Sequence, residues 1–146
     1  MNPADSTTHA FRLKPGQAPG KEIDAIVPKE NILAGWIIPS VGSLMQSNLQ
    51  FAKQPEGTGR NGHFEIVSLT GTISPSGSHL HMSVSDCLGR TIGGLQLYEN
   101  TIYTTAEIVI CENRSLVFST KKTVLQPGKN YRQKRNKTLF SNRNEK

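Results

Sequence analysis

Between residues 63 and 120 the chain is a succession of short runs that alternate apolar and polar residues: HFEIVSLTGTIS, SHLHMSVSD, RTIGGLQL, TIYTTAEIVICE and RSLVFST. Each run is cut from the next by a turn signal such as PSG or CLG. Alternation with period two puts every second side chain on the same face, so each run has one apolar face to bury and one to leave outside. Segments that short and that closely spaced leave no room for crossover helices, so they pair as antiparallel strands. That constraint governs everything upstream of it.

The earlier part of the chain fits around such a sheet. HAFRLKPGQ reads as a first strand ended by Pro15-Gly16, with residues 1–8 small, polar and expected to be disordered. KEIDAIVPKENI sets Ile23, Ile26 and Val27 at helical spacing, and Pro28 should kink or stop that helix. ILAGWIIPSVGSL is long, apolar and β-branched, a buried strand in which Pro39 points to an edge or a bulge; SNLQFA can pair with it. QPEGTGRNG, residues 54–62, reads as a loop. The expectation is an α+β fold: one compact domain over 9–120, mainly antiparallel sheet with one or two short helices. No internal repeat is visible.

Charge divides the chain. Residues 1–120 hold eight Lys/Arg against ten Asp/Glu, a net of −2, whereas residues 121–146 hold nine against one, a net of +8. The segment 121–146 has no hydrophobic period and reads as a basic, largely disordered tail. Within it Lys129, Arg132, Lys134, Arg135 and Lys137 gather around Tyr131, a pattern suited to non-specific nucleic-acid contact, to a nuclear-import signal, or to plain solvation. No apolar run reaches the length of a membrane span, and the N-terminus lacks the apolar stretch of a secretory signal. Cys87 and Cys111 form no CxxC and read as idle thiols in a reducing compartment, so an intracellular location, cytoplasmic or nuclear, is expected.

Catalytic motifs are scarce. There is no G-x-S-x-G elbow. The glycine-flanked serine of VGSL reads as a turn, and the Gly57–Gly62 stretch lacks the lysine of a phosphate-binding loop. The exception is GSHLHMSVSD. On a strand, Leu80, Met82 and Val84 share the apolar face, and His79, His81, Ser83 and Ser85 share the other. Two same-face imidazoles can meet one metal ion, and zinc then needs one or two further ligands. His63, Glu65 and Glu107 are the candidates to complete such a site, and two histidines simply hydrogen-bonded on a polar face are the other reading.

Taken together, FRLKPGQ, AGWIIPSVGSL, GHFEIVSLTGTIS, GSHLHMSVSD, GRTIGG and YTTAEIVI, in that order, resemble the PPC (plants and prokaryotes conserved) domain over about residues 9–119. The resemblance implies a homotrimer that serves assembly and contact with other proteins. It also implies that Gly62, His63, Phe64, Glu65, Ile66 and Val67 correspond to a partner-interaction block, with His63 where arginine is usual. Some members hold a metal on histidines, and members commonly have histidine after the paired glycines, where this chain has Leu95. Plant members carry AT-hooks; this chain has no Arg-Gly-Arg-Pro core, so DNA binding does not carry over by motif. The expected function is thus a non-enzymatic trimeric module whose basic tail can meet nucleic acid. The alternative is a small metal-dependent enzyme or metal-binding protein with His79 and His81 near a subunit interface. No cofactor is expected, apart from the zinc or other divalent transition metal that the histidine pair leaves open.

Overall fold

A computed structural model describes residues 5–123 and 135–142. Its elements are β1 (Ser6–Leu13), α1 (Pro19–Lys29), β2 (Gly35–Gln50), β3 (Gly57–Ser74), β4 (Gly77–Ser85), β5 (Thr91–Gln96), β6 (Thr101–Asn113), β7 (Leu116–Thr123) and β8 (Arg135–Asn142). One antiparallel sheet runs β1-β6-β2-β3-β4-β5, with an additional pairing between β2 and β5. That last pairing closes the ring. Strand β2 lies against β6 from Gly35 to Gln46, and its end then turns to β5 through Leu49↔Gln96 and Gln50↔Leu95.

The change of partner is pinned by a side chain. Asn100 is fully buried; its Oδ1 accepts the Asn48 N–H at 2.9 Å, and its Nδ2 donates to the carbonyls of Asn48 at 3.0 Å and Leu97 at 2.5 Å. It supplies the backbone of β2 with partners where the β6 ladder has stopped and the β5 ladder has barely begun. Gly94 makes the closure possible, because a Cβ there would stand 2.5 Å from the Gln50 carbonyl oxygen.

The inward side chains of β2, β3, β4 and β6 make the core. Leu44, Leu49, Ile73, Met82, Val84, Ile102, Ile108 and Ile110 are essentially fully buried, each stabilising the fold by about 1.5–3 kcal/mol relative to exposure. Helix α1 adds Ile23 and Val27 to that cluster. Pro19 opens the helix, where a missing N–H costs nothing. Pro28 is the penultimate residue, so the helix does stop where the proline demands it. The Asp24 carboxylate holds the helix down, accepting from Ser78 Oγ at 2.7 Å and Tyr98 OH at 2.5 Å.

Four segments depart from the sequence expectation. Strand β1 begins at Ser6, so residues 6–8, expected to be disordered, pair with Glu112, Asn113 and Cys111. Residues 35–50 form one strand, not two paired ones. Residues 57–62, expected as a loop, are the start of β3 and pair with β2 up to Gly57↔Gln50. The tail also contributes: Lys121–Thr123 pair with Arg135–Lys137 in the two-stranded β7-β8 sheet, so the basic segment is not without regular structure. The hairpin meets the main body through Phe118, which is buried and donates its N–H to the Leu33 carbonyl at 3.0 Å.

The closeness of β3 to β4 sets a test. Gly71 has φ +146°, and a Cβ there would stand 2.0 Å from the His79 carbonyl oxygen. Gly71→Ala should lower stability by roughly 2–4 kcal/mol, combining backbone strain with a backbone clash. Gly59→Ala, with nothing within 4 Å of its Cβ, should stay within about 0.5 kcal/mol. Urea unfolding of both variants measures the difference.

Candidate functional site

Strand β4 carries the alternation the sequence shows. Leu80, Met82 and Val84 are buried, while His79 and His81 are exposed on the opposite face. The two imidazoles converge: their Nε2 atoms are 3.3 Å apart, and the rings are tilted at 59° with centroids 5.2 Å apart. A hydrogen bond at that distance needs one ring to donate and the other to accept, and the tautomers decide which. The His81 pKa lies below the ordinary imidazole value, chiefly because partial burial penalises the charged ring and secondarily because His79 stands beside it.

The register places the third position. His81 pairs across to Thr70 on β3 and to Leu95 on β5. Position 95 therefore does face the pair, and it offers no lone pair. None of the proposed substitutes reaches the histidines as a ligand: among the described residues no three His, Cys, Asp or Glu side chains gather as a metal site. His63 instead packs edge-on against Tyr103 at 4.4 Å, and Glu107 is ion-paired to Arg12 at 2.9 Å. Glu65 lies opposite Ser43 and Ser85, at the far end of β4 from the pair. Two imidazoles do not make the three-ligand set of a catalytic zinc, and the described residues do not supply the third. Cys87 is exposed and Cys111 half-buried, both as free thiols.

A second surface was not legible beforehand. Ile38, Val41, Met45, Val67 and Tyr103 are large apolar residues left exposed on the adjacent strands β6, β2 and β3, with Val41 at 61% and Val67 at 57%. Four of the five sit at irregularities in the ladders. The β2–β6 register slips between Ile37 and Ser40 and again around Met45, facing the stretch of β6 that holds Tyr103. In β3 the register with β4 slips between Ile66 and Ser68, leaving Val67 as the extra residue. Bulges re-aim side chains, and here they aim apolar ones outward. The β2–β3 pairings Trp36↔Thr72 and Ser43↔Glu65 keep one register, which sets Val41 opposite Val67. Pro39 was the only signal in the sequence, and it marks the first of these bulges.

The Gly62–Val67 block straddles both faces. Phe64 and Ile66 are buried in the core, whereas His63, Glu65 and Val67 face outward. Of the basic residues singled out, Lys129, Arg132 and Lys134 lie outside the described residues; Arg135 and Lys137 fall in β8. No helix among the described residues is long and apolar enough to cross a membrane.

The family model of the Plants and Prokaryotes Conserved (PCC) domain, the same family written PPC above, matches residues 2–114. A bifunctional protein GlmU of Synechococcus sp. (strain JA-3-3Ab) is 39% identical over 111 residues, which cover 76% of this chain but only 18% of that protein. A solved structure of a hypothetical protein from Salmonella enterica is 34% identical, covers 94% of this chain and 95% of its own, and superposes with a TM-score of 0.86. A Bacteroides thetaiotaomicron structure, described as a candidate DNA-binding protein, shares the fold at 22% identity and a TM-score of 0.69, covering 80% of this chain and 84% of its own.

The histidine pair yields a direct test. Leu95→His should bring a third imidazole to the position opposite His81 and raise zinc affinity by at least about tenfold. Adding His81→Ala to that variant should remove the gain. Calorimetric zinc titration of the wild type and both variants checks it, with tight binding by wild type as the contrary result.

Proposed function

The chain belongs to the Plants and Prokaryotes Conserved domain family, and on that footing we propose that it is a non-enzymatic assembly module that associates with copies of itself as a homotrimer. The observation that carries the reading is the bulge-presented apolar face of Ile38, Val41, Met45, Val67 and Tyr103. Exposed apolar surface on adjacent strands is costly to leave in water, and self-association removes it. The number three comes from the family resemblance. Val67 also belongs to the block that the resemblance assigns to partner contact, so one residue serves both expectations. That the matched region makes up 18% of the Synechococcus protein supports a domain that works attached to, or beside, other proteins.

Light scattering of purified protein should give a mass near three chains. Val67→Asp should shift the species toward monomer while circular dichroism stays unchanged, because the side chain is already outside the core. A wild-type monomer at micromolar concentration overturns the reading.

Nucleic-acid contact is assigned to the basic segment. The +8 of residues 121–146 stands against −2 for the rest, so the folded part repels a phosphate backbone and the tail attracts it. The description of the Bacteroides neighbour is consistent with that assignment. The contact is electrostatic and indifferent to sequence. Because β7 runs to Thr123, truncating after Thr120 would cut a strand; neutralising substitutions in the full chain are cleaner. Replacing Arg132, Lys134, Arg135 and Lys137 by glutamine should reduce the salt slope of duplex DNA binding by up to about 3–4. Fluorescence anisotropy across a salt series measures it, and an unchanged slope removes these residues from the interface.

A further inference from the structure

The outer face of β3, β4 and β5 forms a pocket of about 570 Å³ that takes in the histidine pair. Its floor follows the strand register in two rows, Thr70–His81–Leu95 and Ser68–Ser83–Gly93. In the second row a Cβ on Gly93 would stand 2.9 Å from Ser83 Oγ, so the missing side chain leaves the hydroxyls accessible. The connection from β2 to β3 adds Phe51 and Lys53 to the wall. Lys53 holds φ +59°, a left-handed conformation uncommon outside glycine, asparagine and aspartate.

The lining has one sign of charge. Among the described residues no Asp or Glu lines the pocket, and the ionisable groups that do are Lys53, His79 and His81, each cationic when charged. Leu95 and Phe51 are apolar walls beside them. The leucine that denies a metal its third donor thereby gives a carbon skeleton something to pack on. Ligand pockets of several hundred Å³ with apolar walls and a few convergent polar groups are of the size that holds a small molecule.

We propose that this pocket binds a small organic anion, a carboxylate or phosphate monoester carried on a compact apolar body. The anionic head lies against Lys53 and the imidazole and hydroxyl groups of β3 and β4; the body lies against Leu95 and Phe51. The proposal is independent of the trimer and of the tail.

The test uses the full chain, with benzoate and phenyl phosphate as probes and benzyl alcohol as the neutral control. Titrations followed by the imidazole NMR signals of His79 and His81 should give saturable shifts with both anions, in the millimolar range or tighter. Benzyl alcohol should leave the signals in place. Lys53→Met, which keeps the chain length on an exposed connection, should weaken anion binding by about tenfold. An equal response to benzyl alcohol, a response that never saturates, or undiminished binding in Lys53→Met overturns the proposal. Zinc that displaces benzoate stoichiometrically from wild-type protein overturns it as well, since the pair would then be a metal site.

Discussion

The side chain of Asn100 holds the rest of this structure in place. A strand as long as β2 cannot stay flat against one neighbour, because twist carries its far end away from β6. Where it leaves, backbone groups inside the protein would lose their partners, at a cost of about 1–3 kcal/mol each. Asn100 offers one acceptor and two donor hydrogens at that point and uses them on Asn48 and Leu97. Strand β2 is then free to join β5, the sheet closes, and the core is sealed on the side where an open sheet would expose Leu49 and Met82. The face carrying His79 and His81 exists because β5 is drawn round to Leu95↔Gln50 and His81↔Leu95 at once.

Closure by twist alone would leave a smooth ring. The bulges give it character. Each adds a residue to one strand, and the extra residue cannot join the inward set without breaking the alternation, so it is turned outward. Ile38, Met45 and Val67 are placed this way, and in a regular ladder an apolar residue between two inward neighbours would be an error of patterning. Three such residues on neighbouring strands, beside Val41 and the His63–Tyr103 ring pair, leave large apolar side chains exposed together. The histidine pocket begins next to that surface on β3, at Ser68 and Thr70, and extends across β4 to β5.

How much of this the sequence displays depends on the period of the signal. The β4 faces were legible because period two is strict there, and Leu80, Met82 and Val84 went inside as the pattern requires. The opposition of Leu95 to His81 is a matter of register, and only the family resemblance pointed to it. Residues 57–62 look like a loop by composition, yet the end of β2 offers them a ladder, and tertiary pairing overrides weak local propensity. Ser6-Thr7-Thr8 look disordered for the same reason: three small polar residues become a strand once β6 lies beside them. The bulges are the least legible of all, since inserting one residue breaks the very period by which strands are recognised. Lys53 and Phe51 could not have been assigned to a pocket, because nothing local says where a connection will lie.

The pairing of β1 with β6 joins the first and last residues of the six-stranded sheet, Ser6 with Asn113. During synthesis the first strand of the sheet leaves the ribosome about a hundred residues before β6, its partner, does, which at roughly 5–20 residues per second is a wait of about 5–20 seconds. An apolar strand held unpaired for that long would seek other edges. Strand β1 reads STTHAFRL, with hydroxyls, a histidine and an arginine for most of its length, and so its composition suits it to waiting in water. The order of the strands along the chain thus bears on the nascent polypeptide as well as the finished one: the earliest strand of the sheet to be made is among the last to be used, and it is polar enough to survive the interval.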